Sequence, residues 1–309
     1  EGAASPLEGE RDRNFLIAGG DGRFVLKIGN PAGDPAVLDL QQAALEHLAE
    51  ADAGLGVARA IRSLDGARVA QATVRGSRLV AILQTRLSGD RLPDRHSTTA
   101  GRRALGELLA RLDHALEGLT HPALVRIDPW DLARLPGLRS RAAHLPTERR
   151  FVVEEEIERF ETVTTPALAG LRRQPVHTDA NPANLLTVPG HPDRITGIVD
   201  FGDVLEAPLA TEIAVAAAYQ CMSPAEPATV VSELVAAYLR RMPLDAAEVA
   251  VIPGLMAARF AQSLTISAWR AERHPANRGY ILIHAEPLWE ALQRLRSLPA
   301  GWWPPGGAS

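Results

Sequence analysis

Two short apolar runs, NFLIAGG (14–20) and RFVLKIG (23–29), flank a Gly-Gly-Asp-Gly stretch, and that pattern predicts a β-hairpin. The next segment, PAVLDLQQAALEHLAEA, carries Val37, Leu38, Leu45 and Leu48 at helical spacing. Three more β-like pieces follow, ARAIRSL, ARVAQATV and SRLVAILQTRL. The texture changes after LSGDRLPD. STTAGRRALGELLARLDHALEGL reads as a helix capped by Ser97, with Leu105, Leu108, Leu109, Leu112 and Leu116 on its apolar face. FVVEEEIERFETV places Val153, Ile157 and Phe160 on one face, and residues 209–221, 227–241, 245–269 and 285–297 also carry the helical period. Only residues 174–203 interrupt this, with QPVHTD and NLLTV…ITGIVDFGD reading as strands and loops. The expected architecture is α+β and two-lobed: a small β-rich lobe over residues 1–87, a mainly helical lobe over 88–300, and a loose tail over 301–309. A ligand site is expected in the cleft between the lobes.

Composition narrows the function classes. Of 33 basic residues one is lysine, and the net charge is −4. That balance, with no basic stripe, argues against nucleic-acid binding. No apolar run is long enough to span a membrane, and EGAASPLEGERDRNF lacks the apolar core of a signal peptide. The single cysteine, Cys221, lies in the apolar run AVAAAYQCM and reads as a small buried residue. The expectation is a soluble cytoplasmic protein.

The lone lysine, Lys27, lies among Phe24, Val25, Leu26 and Ile28, a poor place for a charge without a partner. Lysine is a compact point charge where arginine is a planar fork, so a site needing one small cation against phosphate oxygens would take lysine. Two dense polar motifs lie far downstream: His177-Thr178-Asp179 with Asn181 and Asn184, and Asp200-Phe201-Gly202-Asp203. Magnesium takes hard oxygen ligands and binds through one or two protein groups plus substrate phosphates, which suits Asn184 and Asp200. A hydroxyl nucleophile must be oriented and relieved of its proton, which suits Asp179. The order of a strand lysine, H-x-D-x-x-x-x-N and D-F-G is that of kinases.

On these residues the chain resembles the aminoglycoside phosphotransferase and choline kinase family, which shares the protein-kinase-like fold. LEGERDRNF, FVLKIGNPA, LQQAALEHL and WDLARLPGLR resemble its hydroxylysine kinase branch. The resemblance implies that Lys27 grips nucleotide phosphates, Asp179 is the base, and Asn184 and Asp200 hold Mg²⁺. It also implies that Glu10 to Phe15 is the loop over the phosphates. That loop has no G-x-G-x-x-G, so backbone amides with Arg11, Arg13 or Asn14 would make its contacts. Gln41 stands where the family usually has a glutamate paired with the lysine; Glu46 is the alternative partner. Family members usually carry a leading helix and strand, so the chain is expected to be trimmed or a fragment of a longer protein.

The segment after D-F-G runs almost directly into an apolar helix, with little room for a peptide-docking activation segment. The acceptor is therefore expected to be a small molecule, phosphorylated on a hydroxyl by ATP or GTP. Gln84, Thr85, Arg86 and Leu87 form the expected hinge against the purine. Acceptor candidates are Trp130, Asp131, Asp203, Glu206, Arg259, Ser263, Ser267, Trp269 and Arg270. The arginines suit a carboxylate, and Asp203 and Glu206 an amine, so the acceptor is read as an amine or amino acid resembling hydroxylysine. The rival readings are an antibiotic-inactivating phosphotransferase, and a non-catalytic nucleotide-binding module or a kinase domain acting on a peptide. A metallohydrolase using His177 and Asp179 lacks further ligands at useful spacing. His177 is expected to hold the loop.

Overall fold

The computed structural model describes residues 2–7, 12–20, 22–74, 76–299 and 301–303. The expected hairpin is present as β2 (Arg13–Gly19) and β3 (Gly22–Ile28), in a register that sets Asn14 opposite Lys27. A strand not expected from the sequence, β1 (Gly2–Leu7), pairs antiparallel with β2. Its Gly, Ala, Ser and Pro content hides it, and Pro6 is tolerated because β1 lies at the sheet edge. The other side of β3 pairs with β6 (Ser77–Thr85), which also carries β4 (Ala60–Ile61) and β5 (Ala70–Val74). Helix α1 (Pro35–Ala51) is capped by the Asp34 carboxylate, which accepts from the Ala36 amide. It buries Leu38, Leu40, Leu45 and Leu48, and also Gln41 and Gln42.

The remainder is mainly helical. Helix α2 (Thr99–Leu116) is capped by Thr98, whose hydroxyl accepts from the Gly101 amide. This corrects the expected cap: Ser97 Oγ instead accepts from Arg102, 3.0 Å away. Tight single turns occupy Leu132–His144, where Pro136 prevents a regular helix. Helix α3 (Thr147–Arg159) begins four residues earlier than the apolar spacing predicts and continues through a wider turn to Thr164. Helices Ala210–Gln220, Pro227–Leu239 and Ala285–Arg296 lie where the periodicity places them. The single helix expected over 245–269 is two, Ala246–Ala250 and Ile252–Arg273. Pro253 opens the second, in the first turn where proline costs no hydrogen bond.

The expected non-helical interruption forms two small sheets that carry the functional loops. In one, β10 (His191–Ile198), β9 (Leu185–Val188) and β7 (Asp90–Arg91) lie side by side. In the other, β8 (Arg173–Val176) pairs with β11 (Leu205–Pro208). The segment after α1 is pinned to β10, where the Ile198 amide donates to Gly56 O at 3.0 Å. That approach is so close that a Cβ on Gly56 would lie 1.8 Å from Thr196 O, so only glycine fits. The expected loose tail is packed at its start: Trp302 and Trp303 lie against the helical core, and the Trp303 indole donates to Val249 O. No helix among the described residues is long and apolar enough to cross a membrane. Cys221 is buried, and burial pushes its thiol up to about 12.

Candidate active site

Lys27 lies on β3 beneath α1, with its side chain only 7% exposed. Its ammonium donates to Gln41 Oε1 at 3.1 Å and to Asp200 Oδ1 at 2.8 Å. The cation therefore joins the sheet to α1, 14 positions on, and to the D-F-G segment, 173 positions on. Glu46, the alternative partner, is taken by Arg62 and Arg68. Asp200 adopts the left-handed conformation at φ 68°, which aspartate tolerates better than most residues. Lys27 is the main cause holding its carboxyl down at about 2. Half of the Asp200 side chain (52%) remains exposed, open to a ligand. Gly202 closes the turn against this pair; a Cβ there would meet Asp200 Oδ1 at 3.2 Å and Gln41 Nε2 at 3.5 Å. Arg126, which the sequence did not single out, clamps the turn by donating to the carbonyls of Gly202 and Val204.

The second half of the site is the loop between β8 and β9. His177 is fully buried; its Nδ1 accepts from the Asp179 amide and its Nε2 contacts Val199 O at 3.2 Å. Burial lowers its pKa to about 4, so the ring is neutral and Nε2 carries the proton. Thr178 is held at φ 63°, unusual for a β-branched residue. Its amide donates to Glu212 Oε2 and its hydroxyl to Asp203 O. Glu212 lies buried on the apolar helix Ala210–Gln220, and burial raises its pKa to about 7. A lone carboxylate inside that apolar run was a sequence signal for this support.

Asp179 is bound at both oxygens. Oδ2 accepts from Asn184 Nδ2 at 2.7 Å and from Asn181 Nδ2 at 2.9 Å, and Oδ1 accepts from Arg259 Nη2 at 2.9 Å. Desolvation raises its pKa to about 7; the Asp203 carboxylate adds to this and Arg259 opposes it. With its amide nitrogen on Asp179, Asn184 keeps its Oδ1 for another partner. Asn184 Oδ1 and the ionised, exposed Asp200 carboxylate are hard oxygen donors, so the residues fit Mg²⁺ bound with substrate phosphates. No cluster of three or more His, Cys, Asp or Glu that could hold a metal occurs among the described residues. Two protein ligands are what a magnesium–nucleotide site needs.

The remaining candidates fare unevenly. Arg11 lies outside the described residues. Arg13 stacks over Phe15, and Asn14 lies beside Lys27 across the β2–β3 pair. At the hinge the amides of Thr85 and Arg86 donate to Arg59 O and Arg23 O, so neither can serve a purine without leaving its partner. Gln84 is buried on β6, between Val25 and Ala60. Asp131 caps the Leu132–His144 turns through the Ala133 amide. Trp269 is covered by Arg141 and Arg273, 4.2 and 5.0 Å from its ring. Glu206 pairs with Arg173 on the β8–β11 sheet. Ser263 and Arg259 are buried, and Trp130 lies over the Arg259 guanidinium at 5.0 Å. Arg270 lies half-buried in the last turn of the same helix as Arg259.

The profile of the Phosphotransferase enzyme family matches residues 3–250. The chain belongs to this family. Over 316 aligned residues it is 28% identical to the hydroxylysine kinase of Mus musculus, covering 94% of this chain and 83% of that protein. It is 27% identical to a homoserine kinase of Azorhizobium caulinodans, covering 80% and 74%. Among solved structures, an amicoumacin kinase in complex with AMP-PNP and Ca²⁺ superposes with a TM-score of 0.68 at 16% identity, covering 92% of this chain and 87% of that one. As a member of this family the chain has the two-lobed, protein-kinase-like α+β fold that the resemblance implied.

Proposed function

We propose that the chain transfers the γ-phosphoryl group of ATP or GTP to a hydroxyl of a small amine-bearing acceptor, best read as a hydroxy-amino acid such as hydroxylysine. The observation that carries this reading is the joining of Lys27 to Asp200, with the Asp179–Asn184 pair on the neighbouring loop. The substrate class is supported by the relatives, since hydroxylysine and homoserine are both amino acids bearing a hydroxyl.

In this reading Lys27 holds nucleotide phosphate oxygens, oriented by the neutral Gln41 amide, which leaves its charge intact. Asn184 and Asp200 would hold Mg²⁺, which when bound neutralises charge on the phosphates. Asp179 accepts the acceptor's hydroxyl proton as that oxygen bonds to the γ-phosphorus. The bond from the γ-phosphorus to the bridging oxygen breaks, and the nucleoside diphosphate leaves with the electron pair. His177, neutral and buried, fixes the loop and takes no part in proton transfer. Catalysis is then chiefly positioning and charge stabilisation.

The test is nucleotide consumption with Mg²⁺, using ATP and GTP in parallel against hydroxy-amino acids, amino alcohols and aminoglycosides, with Asp179→Asn as control. Turnover of hydroxy-amino acids that disappears in the variant supports the proposal. Turnover of aminoglycosides alone replaces it with antibiotic inactivation. Tight nucleotide binding without turnover replaces it with a binding module or a peptide acceptor.

A further inference from the structure

Arg259 was expected to clamp an acceptor carboxylate. In the folded chain its side chain is 2% exposed, and its guanidinium is committed elsewhere. Nη2 donates to Asp179 Oδ1 at 2.9 Å and Nη1 to Gln262 Oε1 at 3.1 Å. Gln262 is fixed in turn: its Nε2 donates to the carbonyls of Pro129 and Asp131, at 2.9 and 3.1 Å. The rings of Trp130 and Tyr219 lie 5.0 and 5.5 Å from the guanidinium carbon. A long cationic side chain is thus immobilised by one helix, one aromatic pair and one amide, with its free end on the oxygen of Asp179 that the asparagines do not hold.

We propose that Arg259 is a positioning residue for Asp179: it fixes the plane of the carboxylate so that one lone pair faces the acceptor hydroxyl. Asn181 and Asn184 alone hold only Oδ2, and a carboxylate held at one oxygen can turn about its Cβ–Cγ bond. With Oδ1 on a rigid guanidinium the plane is set from both ends. A buried cation committed in this way is not available to an acceptor carboxylate, so any such group is recognised by other residues. This inference rests on the phosphotransfer reading for its kinetic consequence, though the Arg259–Asp179 coupling itself can be read without turnover.

The experiment compares wild type, Arg259→Met, Arg259→Lys, Asp179→Asn and the Arg259→Met/Asp179→Asn double variant. With the acceptor found above, Arg259→Met should lower kcat about 10²-fold, the order expected for a misplaced catalytic group, with nucleotide KM changing less than about threefold. In the Asp179→Asn background the same substitution should cost less than about threefold more, because residues acting as a unit are not additive. Arg259→Lys, which keeps the charge and a donor, should recover part of the loss. A raised acceptor KM at unchanged kcat, or a full additional loss in the double variant, overturns the proposal in favour of a substrate clamp. The second readout is ¹⁵N NMR of arginine side chains. A slowly exchanging guanidinium signal, absent from Arg259→Met, should shift or broaden in Asp179→Asn; an unmoved signal overturns the coupling. If wild type turns over no acceptor, the functional reading fails and the NMR arm still decides this one. If Arg259→Met does not fold, Arg259→Lys and the NMR comparison of wild type with Asp179→Asn carry the test.

Discussion

Replacing Lys27 tests the centre of the site, and the geometry sets the size of the effect. Lys27→Met removes the bonds to Asp200 and Gln41 while keeping a side chain of similar reach. Asp200 is held at about 2 against an ordinary 3.8, chiefly by Lys27. That difference corresponds to about 2 kcal/mol. Asp200 is 52% exposed, so solvent screening cuts the figure to about 1 kcal/mol. A depressed carboxyl pKa contributes stability that is present above the unfolded value and lost as pH falls through the folded one. The stability gap between wild type and Lys27→Met should therefore be open at pH 6 and close from about pH 4 towards pH 2. Thermal unfolding across that range measures it. On function, a charge-assisted contact to phosphate is worth about 1.5–3 kcal/mol, so nucleotide KM should rise about 10- to 150-fold. Lys27→Arg is the sharper variant, since it keeps the charge. The slot between Gln41 and Asp200 leaves the lysine 7% exposed, and a guanidinium there overpacks it by about 1–3 kcal/mol and misplaces the charge. An arginine variant of full activity and stability, or an unchanged nucleotide KM in Lys27→Met, would refute the argument.

Other outcomes follow from the same structure. Asp179→Asn should lower kcat about 10²- to 10⁴-fold with nucleotide affinity kept, read by steady-state kinetics and calorimetry. The Asp179 pKa is raised to about 7, so kcat/KM should climb as pH rises through that value, and a flat profile from pH 5 to 8 would remove Asp179 as the base. Tyr238 donates to the fully buried Asp113 at 2.6 Å; Tyr238→Phe leaves that acceptor unsatisfied and should cost about 1–3 kcal/mol in urea unfolding. Gly56→Ala drives a Cβ into Thr196 O and should cost about 3 kcal/mol or prevent folding, judged by thermal unfolding and soluble yield.

The β2–β3 hairpin, α1 and most later helices were legible because apolar period and turn residues are local properties, carried within ten or twenty positions. Lys27, Asp179, Asn184 and Asp200 could be nominated because residue types and order restrict what a site can do, and the fold joins Lys27 to Asp200 and Asp179 to Asn184. Strand β1 was not legible, since its pairing is made by the backbone of β2 and its own side chains carry no alternation. Nor was the capping choice between Ser97 and Thr98, which turns on backbone angles at one position.

Partnership was decided only by the tertiary structure. The resemblance put Gln41 beside Lys27 with Glu46 as the alternative, and packing keeps Gln41, gives Glu46 to Arg62 and Arg68, and adds Asp200 to the lysine. Arg259 was named as a substrate ligand, but the helix Ile252–Arg273 turns it inward onto Asp179. Asp131 was named for the acceptor and serves as a cap. The sequence by itself determined the fold class, most of the elements and the chemical inventory, because these follow from local periodicity and functional-group type. Which charges meet depends on distances between segments 80 to 173 positions apart, and only the packed core sets those distances.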